Sequence, residues 1–600
     1  MTDDPERRWL REVHRPDDPQ LTPRAVLTGM AVGGVLCLSN VYVVLKTGWS
    51  LGVTLTSSIL AFAIFRALGS IGVVRRDFSA LENAMMASVA SAAAFMTGGG
   101  NMAALPALLV LTGARPGGLP MFLWFAAIAA FGVVAAIPFK RQLINLEALP
   151  FPSSVAAAET IRSMHAGRSG GGRARRLLGA ALVAGLVTFL RDSRAHWLPM
   201  HLPGRVALPF SIGGHPAAAW SLAFDGSLVL VGGGALMGLR TAWSMLIGAA
   251  LTYGVIAPAM VARGVIPSVD YKAIVQLTLW PGAALMVSSG LLSFAFQWRT
   301  VARSLGGLVS AFRPRAIAEP DDPMHAVEAP AWWFPAGVAL IAPLVVTLMH
   351  TLFDIPVWAG VVAIPLAILM AVVAARVTGE TDITPTKAIG PVTQLVYGGM
   401  LPGDVTANVM SGNVTGGVGL HAADLLSDMK TGWLLGVTPR KQVVAQMFGV
   451  LVGAAVVVPA FTLLVPSADA LGTPELPAPA VMVWAGVSKM MSGGLAGLPH
   501  PARVATLIGG VLGAVLTVLE RAAPRHKHLI PSPSGLGIAM VMPGSNALTM
   551  FVGAAIAAGV KRRQPAALGA VLVPIASGMI AGESLVGITL VLSRALGLAA

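Results

Sequence analysis

Apolar stretches long enough to cross a bilayer recur along the whole of this 600-residue chain, and they leave room for one kind of fold. A spanning helix needs about 20 mainly apolar residues. Such stretches lie at roughly 25–45, 49–69, 83–113, 120–138, 177–190, 218–239, 243–262, 273–296, 332–352, 357–375, 405–429, 443–465, 479–499, 503–520, 534–558 and 566–598. A transmembrane β-barrel would show strands of about ten residues alternating apolar and polar, which continuous runs of this length do not. The expected fold is an all-α polytopic transmembrane bundle of about 14–16 spans. With 55% hydrophobic and 11% charged residues, the composition agrees.

The net charge of +14 would point toward nucleic acid in a soluble chain. Here the basic residues sit in the short connections, so no nucleic-acid partner is expected and the bilayer is. Arg7, Arg8, Arg11 and Arg15 precede the first run, Arg75 and Arg76 follow the second, Lys140, Arg141, Arg173, Arg175 and Arg176 follow the fourth, and Arg299, Arg303, Arg313 and Arg315 follow the eighth. Even spacing puts these clusters on one side, which the positive-inside rule makes cytoplasmic. The reading is an inner-membrane protein with its N-terminus inside, with no removable signal evident at its start. The single cysteine, Cys37, lies in the first run and excludes an intrachain disulfide or a thiolate-cluster metal site.

An internal repeat adds organisation. KTGWSLGVT at 46–54 returns as KTGWLLGVT at 430–438, differing only at Ser50 against Leu434. Looser matches follow in order: MTGG at 96–99 with MSGG at 491–494, Lys140 and Arg141 with Arg525 and Lys527, and PFPS at 150–153 with PSPS at 531–534. The chain reads as two tandem pseudo-symmetric halves: residues 1–24 form an N-terminal segment, 25–296 the first half, 297–331 a cytoplasmic connection and 332–600 the second half. If 380–400 folds back without crossing, an even number of spans separates the two copies and the halves are parallel. Such pairs in secondary transporters hold the substrate between them near mid-membrane.

Polar, glycine-rich interruptions of apolar runs are tolerated at membrane depth only where the freed backbone faces protein or a wet cavity. They occur at Gly98–Asn101, Pro150–Ser154, Gly379–Pro391, Asn408–Lys430, Gly493–Gly494 and Pro531–Asn546. Ionisable residues there are costly and often functional. Asp424 and Asp428, four apart on one helix face, with His421 beside them, are the leading candidates to carry protons, Glu380 and Glu159 the others. Interfacial anchoring is the competing reading for Asp428, a surface ion pair with Arg376 for Glu380, a wet helix face shared with Arg162 for Glu159, and hydrogen-bonded packing for His421. Asn101, Asn413, Gly416, Gly417, Ser534 and Asn546 combine polar groups with breaks and are the candidate substrate contacts, close helix packing being the alternative for the glycines.

The stretch GETDITPTKAIGPVTQL at 379–395, followed by NVMSGNVTGGVGLHAADLLSDMKTGWLLGVTPRKQVVAQMFGVLVG at 408–453, resembles the signature region of the oligopeptide transporter family. ENAMMASVASAAAFMTGGG at 82–100, PFPSSVAAAETIRSMHAG at 150–167 and PSPSGLGIAMVMPGSNALTMFVG at 531–553 are similar to further family segments. The likeness runs from about residue 25 to the end and is nearer the bacterial and yellow stripe-like branch. The NPG and KIPPR motifs of the peptide-carrying branch are absent as such.

The resemblance implies proton-driven uptake of small peptides, modified peptides such as glutathione, or metals bound to peptide-like chelators. The sequence has 11 histidines and one cysteine and no HExxH pattern, so no metal site or cofactor is expected, and any metal would travel inside a chelate. No GxxxxGK[ST] motif occurs, which disfavours ATP-driven transport by this chain. A passive channel and a membrane enzyme acting on lipid-linked substrates are the alternatives, although no large aqueous domain carries catalytic acids. Homo-oligomerisation is left open.

Overall fold

The structure, a computed structural model, describes residues 4–595 except 51, 75, 99, 167–169, 194–200, 297–321, 383, 495–497 and 566. Arg75, Gly99, Arg299, Arg303, Arg313, Arg315 and most of the 297–331 connection lie outside the described residues.

A short helix α1 (Pro5–Glu12) precedes α2 (Pro23–Thr47), whose first turn is capped by the Thr22 hydroxyl and whose last is closed by Gly48 at φ +79°. Next come α3 (Thr54–Ser70), α4 (Ala80–Phe95), α5 (Asn101–Thr112), α6 (Gly118–Lys140), α7 (Pro152–Ala166) and α8 (Gly170–Asp192). The loop after α8 carries β1 (Arg205–Ala207), β2 (Ser211–Ile212), β3 (His215–Pro216) and β4 (Ala223–Asp225), with β1 antiparallel to β4 and β2 to β3. Then follow α9 (Leu228–Met237), α10 (Leu239–Leu251), α11 (Ala257–Ala262), α12 (Tyr271–Phe296), α13 (Trp333–Phe353), α14 (Val357–Thr381), α15 (Thr386–Met400), α16 (Val405–Leu435) and α17 (Pro439–Leu464). The chain ends with α18 (Pro479–Gly493), α19 (His500–Ala522), α20 (Pro533–Ala539), α21 (Gly544–Arg563) and α22 (Val573–Ala595).

Among the described residues, nine helical stretches are long and apolar enough to cross a membrane, and α3, α5 and α9 are shorter apolar helices. The polytopic helical fold is thus the observed one. Lipid-facing sides are legible from exposure: Leu507, Val511, Val515 and Val518 of α19 form an exposed apolar stripe at helical spacing. The main core instead gathers around α16, whose residues from Ala407 to Leu426 are buried almost without interruption among α5, α6, α13, α14 and α17.

The expected interruption at 408–430 is not there, because α16 runs unbroken through GGVG. Glycine in a helix interior costs about 1 kcal/mol relative to alanine, offset here by close crossings of a kind only a missing side chain permits. A Cβ on Gly417 would sit 2.8 Å from Asn101 Oδ1, and one on Gly100 would sit 2.7 Å from Gly417 N. The break between the end of α4 at Phe95 and the start of α5 at Asn101 is real, and so is that at 540–543. Carbonyls freed at the second accept from buried hydroxyls: Thr278 to Met540 O at 2.6 Å, Tyr271 to Val541 O and Tyr253 to Met542 O at 2.7 Å each.

The parallel relation of the two repeat copies is also corrected. The start of α2 and the end of α16 meet on one face, where Thr438 N donates to Gln20 Oε1 at 2.9 Å and Arg15 N donates to Gly436 O at 3.2 Å. The two helices therefore run in opposite directions, and Lys46 and Lys430 lie toward opposite faces. The reason is 380–400, which was expected to fold back without crossing. Gly390 and Pro391 do not stop it from forming α15, which returns the chain to the far face before α16 begins.

On the N-terminal face, α1 is clamped to the ends of α6 and α16. Glu6 bridges Arg141 Nη2 at 2.5 Å and accepts from Asn145 at 2.8 Å, Arg141 also holds Asp322 at 2.6 Å, and Trp9 stacks on Trp433 at 3.9 Å. Burial works to raise the Glu6 carboxyl, but the hydrogen bonds from Arg141 and Asn145 outweigh it and hold the group below the ordinary glutamate range. An acid held low in the folded state contributes stability above its unfolded value, about 4.3, and loses it as pH falls through the folded value. Replacing Glu6 by Gln should loosen the clamp at pH 7 by about 1.5–3 kcal/mol, the range for hydrogen bonds to charged groups. Hydrogen exchange over residues 5–13 should accelerate accordingly; unchanged exchange would show that the aromatic stack alone holds α1.

Candidate functional site

The acidic candidates separate by depth. Leu435 ends α16 at the N-terminal face, so Asp424, 11 residues earlier, lies about 16 Å in at 1.5 Å per residue. Asp424 and Asp428 are both buried, at 5% and 3% exposure. Ser91 donates to Asp424 Oδ1 at 2.6 Å, Ser88 donates to Asp428 Oδ2 at 3.0 Å, and Gln446 Nε2 reaches Asp428 Oδ2 at 2.9 Å and Asp424 Oδ2 at 3.4 Å. Thr54, at the top of α3, completes the shell, 3.4 Å from both Ser91 Oγ and Asp428 Oδ1. Among the described residues, neither carboxyl forms an ion pair; their partners are neutral hydroxyls and one amide. His421 is buried one turn away under Gly132, with both ring nitrogens lacking a hydrogen-bond partner among the described residues.

The other acids lie at the N-terminal face. Arg376 takes Glu147 at 2.6 Å and Glu380 at 3.7 Å, and Glu159 pairs with Arg162 at 3.1 Å on an exposed helix surface. Neither joins the Asp424 chamber.

Four of the proposed substrate contacts converge, but into a closed joint. Asn413 Nδ2 donates to Gly100 O at 2.6 Å and Asn101 Oδ1 at 3.0 Å, while Trp124 Nε1 donates to Asn413 Oδ1 at 2.7 Å, with Gly416 and Gly417 pressed against the same break. Neither cavity described below reaches them. Ser534 is half-buried in α20, away from this joint, near Ile530 whose carbonyl accepts from Arg240. Asn546, buried in the first turn of α21, has an Nδ2 without a hydrogen-bond partner among the described residues and lies one turn from Thr549, whose hydroxyl donates to Asp225 O at 3.1 Å.

That last contact leads to a vestibule the candidate residues did not include. The far ends of α2, α8, α17 and α22 diverge around a cavity of about 900 Å³, roofed by the β1–β4 loop and the segment after α17. Its walls carry Tyr42, Lys46, Arg191, Asp192, Arg205, Asp225, Glu475 and Arg594. Behind them Glu583, fully buried, accepts from Arg191 at 3.0 Å, Ser227 Oγ at 2.7 Å and Val229 N at 2.9 Å. The missed signal was available. Glu583 is an acid inside the last apolar run, and Lys46 opens the repeated motif.

Lys46 lies 22 residues along α2 from Arg24, about 33 Å from that end, and Asp424 about 16 Å from the same face. Between those levels a chamber of about 30 Å³ is lined by Ser39, Asn40, Thr56 and Ser577. It has room for a single water and the polar groups to hold one. Thr56 donates to Ser577 at 3.1 Å, and Thr54 is half a turn before it.

The sequence profile of the OPT oligopeptide transporter protein family matches residues 20–594. A putative oligopeptide transporter of Saccharomyces cerevisiae is 25% identical over 666 residues, covering 90% of this chain and 91% of the relative. The iron-phytosiderophore transporter yellow stripe 1 of Zea mays is 26% identical over 613 residues, covering 94% and 89%. A putative oligopeptide transporter of Haemophilus influenzae is 26% identical over 611 residues, covering 90% and 91%. These relatives are transporters, and none is an enzyme.

The closed joint yields a stability test. Replacing Asn413 by Leu would orphan the Trp124 N–H and Asn101 Oδ1, at about 1–3 kcal/mol for each buried group left unpaired. The purified variant should melt several degrees below wild type. An unchanged midpoint would mean that the break does not depend on this side chain.

Proposed function

Because the chain belongs to the oligopeptide transporter family, we propose that it is a proton-coupled symporter taking up small peptides or peptide-like solutes, metal chelates included, across the cytoplasmic (inner) membrane of a bacterium, with its N-terminus inside. That it is a membrane transporter follows from the family. The substrate range is drawn from the names of its relatives and from the zwitterionic character of the vestibule wall.

The observation that carries the proton step is the Asp424–Asp428 pair. Two carboxyls four residues apart, deep in an apolar bundle with only neutral donors around them, are far cheaper to bury with a proton than as two bare charges. The donors come from α3, α4 and α17, while both acids ride on α16. A relative movement of these helices would change how many donors each carboxyl keeps, and so its hold on a proton. Asp424, with one short hydroxyl contact and a long amide contact, is the proton carrier in this reading. Asp428 is its partner, and His421 borders the chamber. Glu380 and Glu159 are assigned to the inner mouth of the path. Segments 25–296 and 332–600 are read as the two transmembrane halves and 297–331 as their connection.

Replacing Asp424 by Asn keeps the shape and removes the ionisable group. Accumulation driven by an imposed proton gradient should fall at least ten-fold in that variant, while its yield and melting midpoint stay near wild type. Uphill uptake at the normal rate would remove Asp424 from the mechanism.

A further inference from the structure

The vestibule contains a cation whose partners are incomplete. Arg191 is fully engaged, donating to Asp192 through two bonds of 2.7 Å, to Glu583 at 3.0 Å and to Gly226 O at 2.9 Å. Lys46 is not. Its side chain is 11% exposed, yet among the described residues its one hydrogen bond is to the Tyr42 hydroxyl at 3.4 Å, and Glu583 Oε1, its one ion-pair partner there, is 3.9 Å away, beyond hydrogen-bond reach. An ammonium carries three donors, and removing most of its water without replacing those bonds is costly. The wall position of Lys46 leaves its remaining donors to the cavity.

The rest of the wall defines what would fit. Asp225 faces the same space with one oxygen held by Ser227 N at 3.0 Å and the other only 3.4 Å from Arg205 Nε, and Glu475 stands exposed at the rim. Cations and anions thus line one cavity whose volume, about 900 Å³, falls in the usual range for small-ligand sites, about 300–1,000 Å³. We infer that this vestibule is the outward-facing binding site for a zwitterionic, carboxylate-bearing solute, with the Lys46 ammonium as its carboxylate contact and Asp225 receiving its amine. Glu583 is a positioning residue. Anchored by Ser227 and by the first turn of α9, it holds Arg191 and draws Lys46 toward the wall without saturating it. The site deepens the transport reading and rests on it for its purpose, but binding here does not require coupling.

The test uses purified full-length protein in lipid nanodiscs, titrated with triglycine and glutathione and with triglycine ethyl ester and glutathione diethyl ester, and read as thermal stabilisation. The free acids should stabilise the wild type and the esters should act at least ten-fold more weakly. Lys46→Gln should weaken the free acids at least ten-fold, with Lys46→Arg recovering part of the loss. A second variant guards against misfolding of the first. Gly587→Phe enters the cavity from α22 beside Tyr42, whose ring and hydroxyl a Cβ would approach to 3.7–3.9 Å, and it should abolish stabilisation by filling the cavity. No stabilisation by either acid, equal stabilisation by the esters, or full affinity in both variants would overturn the site. Binding that persists in protein unable to concentrate solute would sink the transport reading alone. Uphill uptake indifferent to Lys46→Gln would sink this site alone.

Discussion

Inside a bilayer no water is at hand to satisfy a polar group, so each backbone carbonyl, hydroxyl and charge must find its partner in the protein. This constraint arranges the structure. Where the chain breaks before α21, three hydroxyls from α12 and the α10–α11 region take the three freed carbonyls. Where Glu583 is buried, an arginine, a serine and a helix N-terminus surround it. Arg376, 1% exposed, is met by two oxygens of Glu147 at 2.6 and 2.7 Å.

Against that background the under-partnered groups stand out. Asp424 and Asp428 share neutral donors, and among the described residues Lys46 has its acceptors at 3.4 and 3.9 Å. They lie at different depths of one region, with the small hydroxyl-lined chamber at an intermediate level. Substrate recognition near the far face and proton exchange nearer the N-terminal face would then be joined through α2 and α3. The joint between them is the segment between Thr47 and Thr54, the first copy of the repeated motif. At one end of that motif Lys46 lines the vestibule, and at the other Thr54 reaches Asp428 at 3.4 Å. That arrangement suits alternating access better than a fixed pore.

Much of the fold was legible in the chain because its signals are local. Apolar run length announces a spanning helix, and the clusters MTGGGN and MPGSN announce the breaks between α4 and α5 and at 540–543. The glycines of α16 read as another break because their purpose, letting α16 touch Gly100 and Asn101, is visible only across some 300 residues of sequence. The direction of the repeat turned on whether 380–400 crosses, and a glycine–proline pair in a buried helix looks the same as one in a loop. For the site, Asp424 and Asp428 could be found because the cost of a buried acid needs no partner to be computed. The vestibule could not, since Arg191 and Glu583 are 392 residues apart and only folding brings them together. Asn413 and Asn101 were marked as substrate contacts by the same polar character that makes them the bolt of a closed joint.

Coupling to the proton gradient is what would let this chain concentrate a solute. The most direct measurement is uptake by the purified wild-type protein in liposomes with an inside-alkaline gradient, offered labelled di- to hexapeptides, glutathione and iron chelates. At least one of these should accumulate above its external concentration and be lost again when a protonophore is added. Equilibration without accumulation, or accumulation that a protonophore leaves intact, would contradict it.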